Sequence, residues 1–157
     1  ANRDECDFFA HNARLDTIQA AVGLVLLDGI GKITSTRKKN ADFYDKSLKS
    51  LAPHVIIPPR RHDVKQVFHT YVVQVENRPQ LVDFLNKAGV EIKVHYPIPI
   101  HLQKAACYLG YKLGDFLIAE EQSRKILSLP IHQYLTKKEL VYVVQKVKDF
   151  YKTSTPR

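Results

Sequence analysis

The sequence predicts an α+β domain in which long N-terminal helices precede a small, largely antiparallel sheet packed with helices. Three observations predict it. Leu15, Ile18, Val22, Val25 and Leu26 recur at helical spacing. Residues 67–75 (VFHTYVVQV) are rich in β-branched and aromatic side chains, as a strand requires. The regular β-α-β rhythm of a dinucleotide-binding fold is absent, as is any G-x-G-x-x-G or Walker sequence.

The elements follow in order. Asn12 and Asp16 both suit the N-cap of the first helix. Ala20 to Leu27 is apolar on nearly every side, which predicts burial against more than one partner. Gly29 and Gly31 end this helix. A second helix spans roughly Lys32 to Leu51, with Ile33, Arg37, Ala41, Tyr44, Leu48 and Leu51 on one stripe. Pro53, Pro58 and Pro59 bracket a short extended piece, Val55 to Ile57. After the strand at 67–75, Arg78 to Lys87 reads as a helix closed by Gly89. Val90 to His95 alternates like a second strand. Short helices are expected at Leu102 to Leu109 and Phe116 to Ile126, and a last one at Lys137 to Tyr151. Thr136 and Glu139 form its capping box. One domain covers residues 1–157, with 1–11 as an irregular lead-in and 152–157 as a tail.

Composition narrows the class. Of 157 residues, 45% are hydrophobic and 25% charged, enough apolar content to build a core. The longest apolar run, Ala20 to Leu27, is too short to span a membrane. Ala1 to Cys6 is polar and charged, unlike a signal peptide. Two cysteines, Cys6 and Cys107, make no disulfide framework, and a reducing cytoplasm is the expected compartment. The sequence holds no methionine, as expected of a processed or truncated chain. The net charge of +8 suits an acidic partner, but the basic residues fall in small clusters such as Arg37-Lys38-Lys39 and Arg60-Arg61. Solvated faces explain these better than a nucleic-acid stripe.

Two segments carry candidate chemistry. His11-Asn12-Ala13-Arg14 precedes a helix, where main-chain N–H groups and the helix dipole favour an anion. Asn12 adds an amide and Arg14 a planar guanidinium, so a phosphate fits. Alternatively, Asn12 caps the helix and Arg14 pairs with a carboxylate. In His95-Tyr96-Pro97-Ile98-Pro99-Ile100-His101, two prolines stiffen a loop that holds His95, Tyr96 and His101 at fixed separation. Their rings can serve hydroxyls and phosphates. A zinc site from His69, His95, His101 and His132 is the sharper competitor. No tight ligand pair accompanies it, and no metal is expected. Ser128 lies in S-L-P, not in a nucleophile elbow. The neighbouring carboxylates Glu120 and Glu121 read as solvated.

Taken as a series, the segments resemble the C-terminal domain of the DegT/DnrJ family of PLP-dependent nucleotide-sugar aminotransferases. The resemblance is carried by N-x-R-L-D-x-I-Q-A-A (12–21), the stripe Arg37, Ala41, Tyr44, Leu48, and H-T-Y-V-V (69–73). It continues through H-Y-P-I-P-I-H-L-Q (95–103), L-G-Y (109–111), G-D-F (114–116), A-E (119–120) and L-S-L-P-I (127–131). Ala10 stands where the family commonly has glycine, and Leu117 where it commonly has proline. The resemblance implies the small domain of a fold-type-I enzyme that works as a homodimer. Such enzymes move an amino group from an amino acid, usually glutamate, to a keto-sugar on a nucleotide diphosphate. It implies that Asn12 reaches the phosphate of pyridoxal 5'-phosphate, with Arg14 near it or near the sugar nucleotide. It implies that His95, Tyr96 and His101 line the substrate cleft. The lysine that holds the cofactor belongs to the family's larger N-terminal domain, which would bind most of the cofactor. No lysine of this chain has a matching context, so no catalytic residue is expected here and the chain alone should not transaminate. A non-catalytic binding or interaction module with this fold is the alternative.

Overall fold

The computed structural model describes residues 4–11 and 14–154. Three strands, β1 (Val55–Ile56), β2 (Tyr71–Val75) and β3 (Ile126–Leu129), form an antiparallel sheet in the order β1-β2-β3. Central β2 pairs Val55 with Val75 on one side and Tyr71 with Leu129 on the other. Tyr71, Val73 and Val75 point into the core, while Val72 and Gln74 stay partly exposed, the period of two expected of a strand with one covered face.

Among the described residues, five α-helices accompany the sheet: α1 (Thr17–Asp28), α2 (Ile30–Leu48), α3 (Arg78–Lys87), α4 (Leu117–Lys125) and α5 (Lys137–Ser154). Helix α5 packs on α2 and α3. Tyr44, Leu48, Tyr71, Leu81, Leu85, Leu127 and Val147 form the centre of the core, with the Tyr44 and Tyr71 rings 4.9 Å apart. The capping box expected before α5 is formed: the Thr136 N–H and hydroxyl donate to Glu139, and the Glu139 N–H donates back to Thr136. Asp16 and Gln19 build a second one at α1.

The structure departs from the sequence pattern in four places. Residues 90–95 form no strand; one bridge joins Lys93 to Ser128. The next hydrogen-bonded pairs would be 91 with 130 and 95 with 126. Pro130 has no N–H, and the Ile126 N–H is taken by Gln122 O at the end of α4. Both extensions are therefore blocked. Second, β3 follows α4 without a turn, so its short apolar run is hidden at the end of a helical pattern. Third, residues 100–102 and 104–109 are 3-10 turns in place of an α-helix. Fourth, Phe68 has φ 51°, a left-handed conformation that keeps the strand from starting before Tyr71.

Helix α1 corrects a larger expectation. It packs against α2, but none of its residues is buried, and Ile18 and Val25 are 75% and 74% exposed. The two helices meet at Gly29 with a bend of 68°. No single helix among the described residues is long and apolar enough to cross a membrane.

Candidate functional site

His95 is the wall shared by two cavities. The smaller, about 280 Å³, is lined by His69, Glu91, Lys93, His95, Ser128 and His132 together with the apolar Leu129 and Ile131. The larger, about 600 Å³, lies against Tyr96, Ile98, Ile100, Tyr111 and Phe116. The segment singled out for its two prolines thus separates a compartment carrying three histidines and Lys93 from an apolar, aromatic one.

Each part of this wall is held by the fold. The Lys93–Ser128 bridge ties residue 93 to β3, with main-chain bonds of 2.8 and 3.2 Å. Two residues on, His95 Nδ1 lies 2.9 Å from Ser128 Oγ. Tyr96 is 65% exposed, its ring edge-on to His95 with centroids 5.5 Å apart. His101 also lines the larger cavity, but its Nε2 is 3.0 Å from Glu120 Oε1, and both side chains are buried. Its ring packs on Phe116 at 4.7 Å. The structure therefore brings His95, Tyr96 and His101 to one cleft and engages one nitrogen of His101 in the cleft wall.

Glu120 corrects the reading of the Glu120/Glu121 pair as solvated. Glu121 is exposed and pairs with Lys125. Glu120 is buried and its Oε1 accepts from the N–H of Gly114 at 2.9 Å, the N–H of Phe116 at 3.3 Å and His101. Burial alone would raise its pKa, but these donors outweigh it and hold the carboxyl below its usual value. The carboxylate staples the His95–His101 loop to the Tyr111–Phe116 loop. The legible signal was the spacing G-D-F-x-x-A-E, which puts a carboxylate one turn after Phe116. Because the folded pKa is lowered, the stabilisation is present above the ordinary glutamate pKa. It is lost as pH falls through the folded value. Glu120→Ala is expected to speed hydrogen exchange at the Gly114 and Phe116 amides at neutral pH. Acidifying the wild type should do the same after correction for intrinsic rates. Unchanged protection at neutral pH in Glu120→Ala would refute the staple.

The opposite rim is held by α2. Arg37 donates to Gln133 Oε1 at 3.2 Å and to the carbonyls of Phe68 and His69 at 3.3 and 3.4 Å. The Asn40 amide donates to His132 O at 3.1 Å, and the Tyr44 hydroxyl to Pro130 O at 3.0 Å. Residues one helical turn apart thus fix both loops that bring His69 and His132 to the smaller cavity. His69, His95 and His132 share that cavity, yet no three His, Cys, Asp or Glu side chains among the described residues are grouped to hold a metal.

The N-terminal segment is docked beside the same loop. The Gln103 amide accepts from Cys6 N at 2.8 Å and donates to Asp4 O at 2.9 Å. Ala105 N–H donates to Cys6 O at 2.8 Å, and Lys104 pairs with Asp7 at 2.8 Å. The lead-in is thus pinned directly after the H-Y-P-I-P-I-H stretch. Asn12 lies outside the described residues. Arg14 sits just before α1 with its side chain 87% exposed, in a 3.4 Å contact with Asp16.

The model of the DegT/DnrJ/EryC1/StrS aminotransferase family matches residues 2–148. The chain belongs to that family. It is 35% identical over 143 residues to a pleiotropic regulatory protein of Geobacillus stearothermophilus, covering 90% of this chain and 38% of the relative. It is 32% identical to the dTDP-3-amino-3,4,6-trideoxy-alpha-D-glucose transaminase of Streptomyces venezuelae, covering 88% of this chain and 36% of the relative. The crystal structure of DesV from S. venezuelae superposes with a TM-score of 0.82 at 31% identity, over 87% of this chain and 37% of that one. The chain spans a little over a third of the length of the proteins it matches, and its helices and antiparallel sheet have the architecture of this family.

Proposed function

We propose that this chain is the C-terminal part of a PLP-dependent nucleotide-sugar aminotransferase. The observation that carries the reading is family membership over nearly the whole chain, joined to a cleft whose two compartments differ in chemistry. The substrate is a keto-sugar linked to a nucleotide diphosphate, and glutamate is the amino donor. An anionic diphosphate suits the cavity lined by His69, His95 and His132, where Lys93 is paired with Glu91 at 2.9 Å. An apolar ring face suits the wall of Tyr111 and Phe116. His95 and Tyr96 orient the sugar nucleotide, and His101, tied to Glu120, fixes the wall behind it.

The residues present fit part of the cofactor. Arg14, an exposed guanidinium just before α1 that contacts Asp16 at 3.4 Å, is the described residue proposed for the cofactor's phosphate, and Asn12, which lies outside the described residues, is the second. Bound pyridoxal phosphate would supply the electron sink for amino transfer. The lysine that holds it is contributed by the family's larger domain, and a homodimer in the cytoplasm completes the enzyme. The 157-residue chain alone is therefore inactive.

Two tests bear on this. Incubating the chain with pyridoxal phosphate, reducing with borohydride and mapping the label should show no single lysine modified stoichiometrically. Uniform labelling of one lysine would overturn the assignment of that residue to another domain. Nucleoside-diphosphate sugar binding should weaken at least tenfold in His95→Ala in the natural gene product, about 1.4 kcal/mol. Unchanged affinity would remove His95 from the cleft's chemistry.

A further inference from the structure

We propose that Ser128 fixes the tautomer of His95, making this imidazole a hydrogen-bond donor to an oxygen atom of the bound ligand. The inference rests on the reading of His95 as a ligand-facing residue.

Ser128 is buried on β3, and both of its main-chain groups are engaged with Lys93. Among the described residues its hydroxyl has one hydrogen-bond partner, His95 Nδ1 at 2.9 Å. A neutral imidazole carries one proton, on either nitrogen. If that proton sat on Nδ1, it would donate to Ser128 Oγ, and the serine proton would have no acceptor among the described residues, only the open side of the smaller cavity that Ser128 lines. Leaving the proton of a buried hydroxyl without a protein acceptor is unfavourable. If Nδ1 is bare, the serine hydroxyl donates to it and every group is satisfied. The proton of the neutral ring then resides on Nε2.

Nε2 is on the far edge of the ring from Ser128. Among the described residues it makes no hydrogen bond, and His95 lines both cavities. The cleft is therefore furnished with an N–H donor. It accepts a phosphoryl, carbonyl or hydroxyl oxygen and disfavours an ammonium or amide N–H at that point. Ser128 acts through His95 and is a positioning residue. The serine that has no elbow for nucleophilic attack thus acquires a different use.

The test is nitrogen NMR of the natural gene product labelled at its histidine imidazoles, at about pH 8, above the ordinary histidine pKa. His95→Gln identifies the His95 signals. The expected wild-type spectrum has Nε2 in the protonated range and Nδ1 in the bare range. A protonated Nδ1 in the wild type overturns the proposal without reference to any variant. Ser128→Ala should move His95 towards a mixture of tautomers while the backbone spectrum stays folded, and Ser128→Thr, which keeps the hydroxyl, should restore the single form. A folded Ser128→Ala with the wild-type tautomer would also overturn it. UDP and UDP-glucose serve as probes of the acceptor. A shift of Nε2 with both marks a phosphate oxygen, and a shift with UDP-glucose alone marks a sugar oxygen. Silence with both overturns the ligand-facing reading of His95, while the tautomer measurement stands separately.

Discussion

The isolated chain is expected to self-associate through α1 and to bind a hydrophobic dye strongly. Ile18, Val22, Leu24, Val25, Leu26 and Leu27 all lie more than half exposed on one helix of 12 residues. Covering a single Val or Leu side chain completely is worth about 1.5–3 kcal/mol, so leaving this set in water is strongly unfavourable. Soluble monomers rarely display so large a contiguous apolar patch. Sedimentation velocity should show species larger than a monomer that grow with concentration. Val22→Gln combined with Val25→Lys should reduce both association and dye binding without lowering unfolding stability, because neither side chain enters the core. A wild-type chain that stays monomeric across the concentration range, with no dye response, would refute the account of α1.

The second large effect is expected at Tyr44. Its ring is fully buried against Tyr71, and its hydroxyl donates to Pro130 O. Burial pushes the phenol pKa up, so it remains a donor throughout the physiological range. Tyr44→Ala should destabilise the domain by about 3–5 kcal/mol, as truncation of a buried aromatic does. Tyr44→Phe keeps the packing and removes one hydrogen bond, so its cost should be nearer 1 kcal/mol. The smaller substitution should also raise amide exchange in residues 131–133, because α2 then holds that loop through Arg37 and Asn40 alone. Denaturant unfolding and exchange measurements on both variants check this. Equal stability losses would contradict the division between packing and loop anchoring.

These two residues also show what the sequence made legible. Tyr44 lies on a stripe with Ala41 and Leu48, and all three are buried, so the 3.6-residue period of α2 located the core correctly. The same reasoning applied to α1 identified an apolar helix but placed it in an interior that this chain does not provide. Periodicity reports that a face must be covered, not by what. Strand β3 was hidden because four residues ending at a proline carry no distinct period. At the candidate site, the prolines marked the His95–His101 loop as rigid, and the structure gathers its three ring-bearing candidates at one cleft. What could not be read was the second layer. Glu120 carried a local sign in G-D-F-x-x-A-E, but its link to His101 did not show, and Ser128 resembled any strand serine. Their roles come from partners 19 and 33 residues away in sequence. Such long-range pairings leave no local pattern.

The measurement that tests the central claim most directly is made on the natural gene product: its intact mass, and the change in visible absorbance when glutamate is added after loading with pyridoxal phosphate. The account predicts a polypeptide more than twice as long as this chain, since relatives are matched over only 36–38% of their length. It also predicts a glutamate-dependent spectral change that needs no sugar substrate. A product of about 157 residues that retains no cofactor and shows no response to glutamate would contradict it.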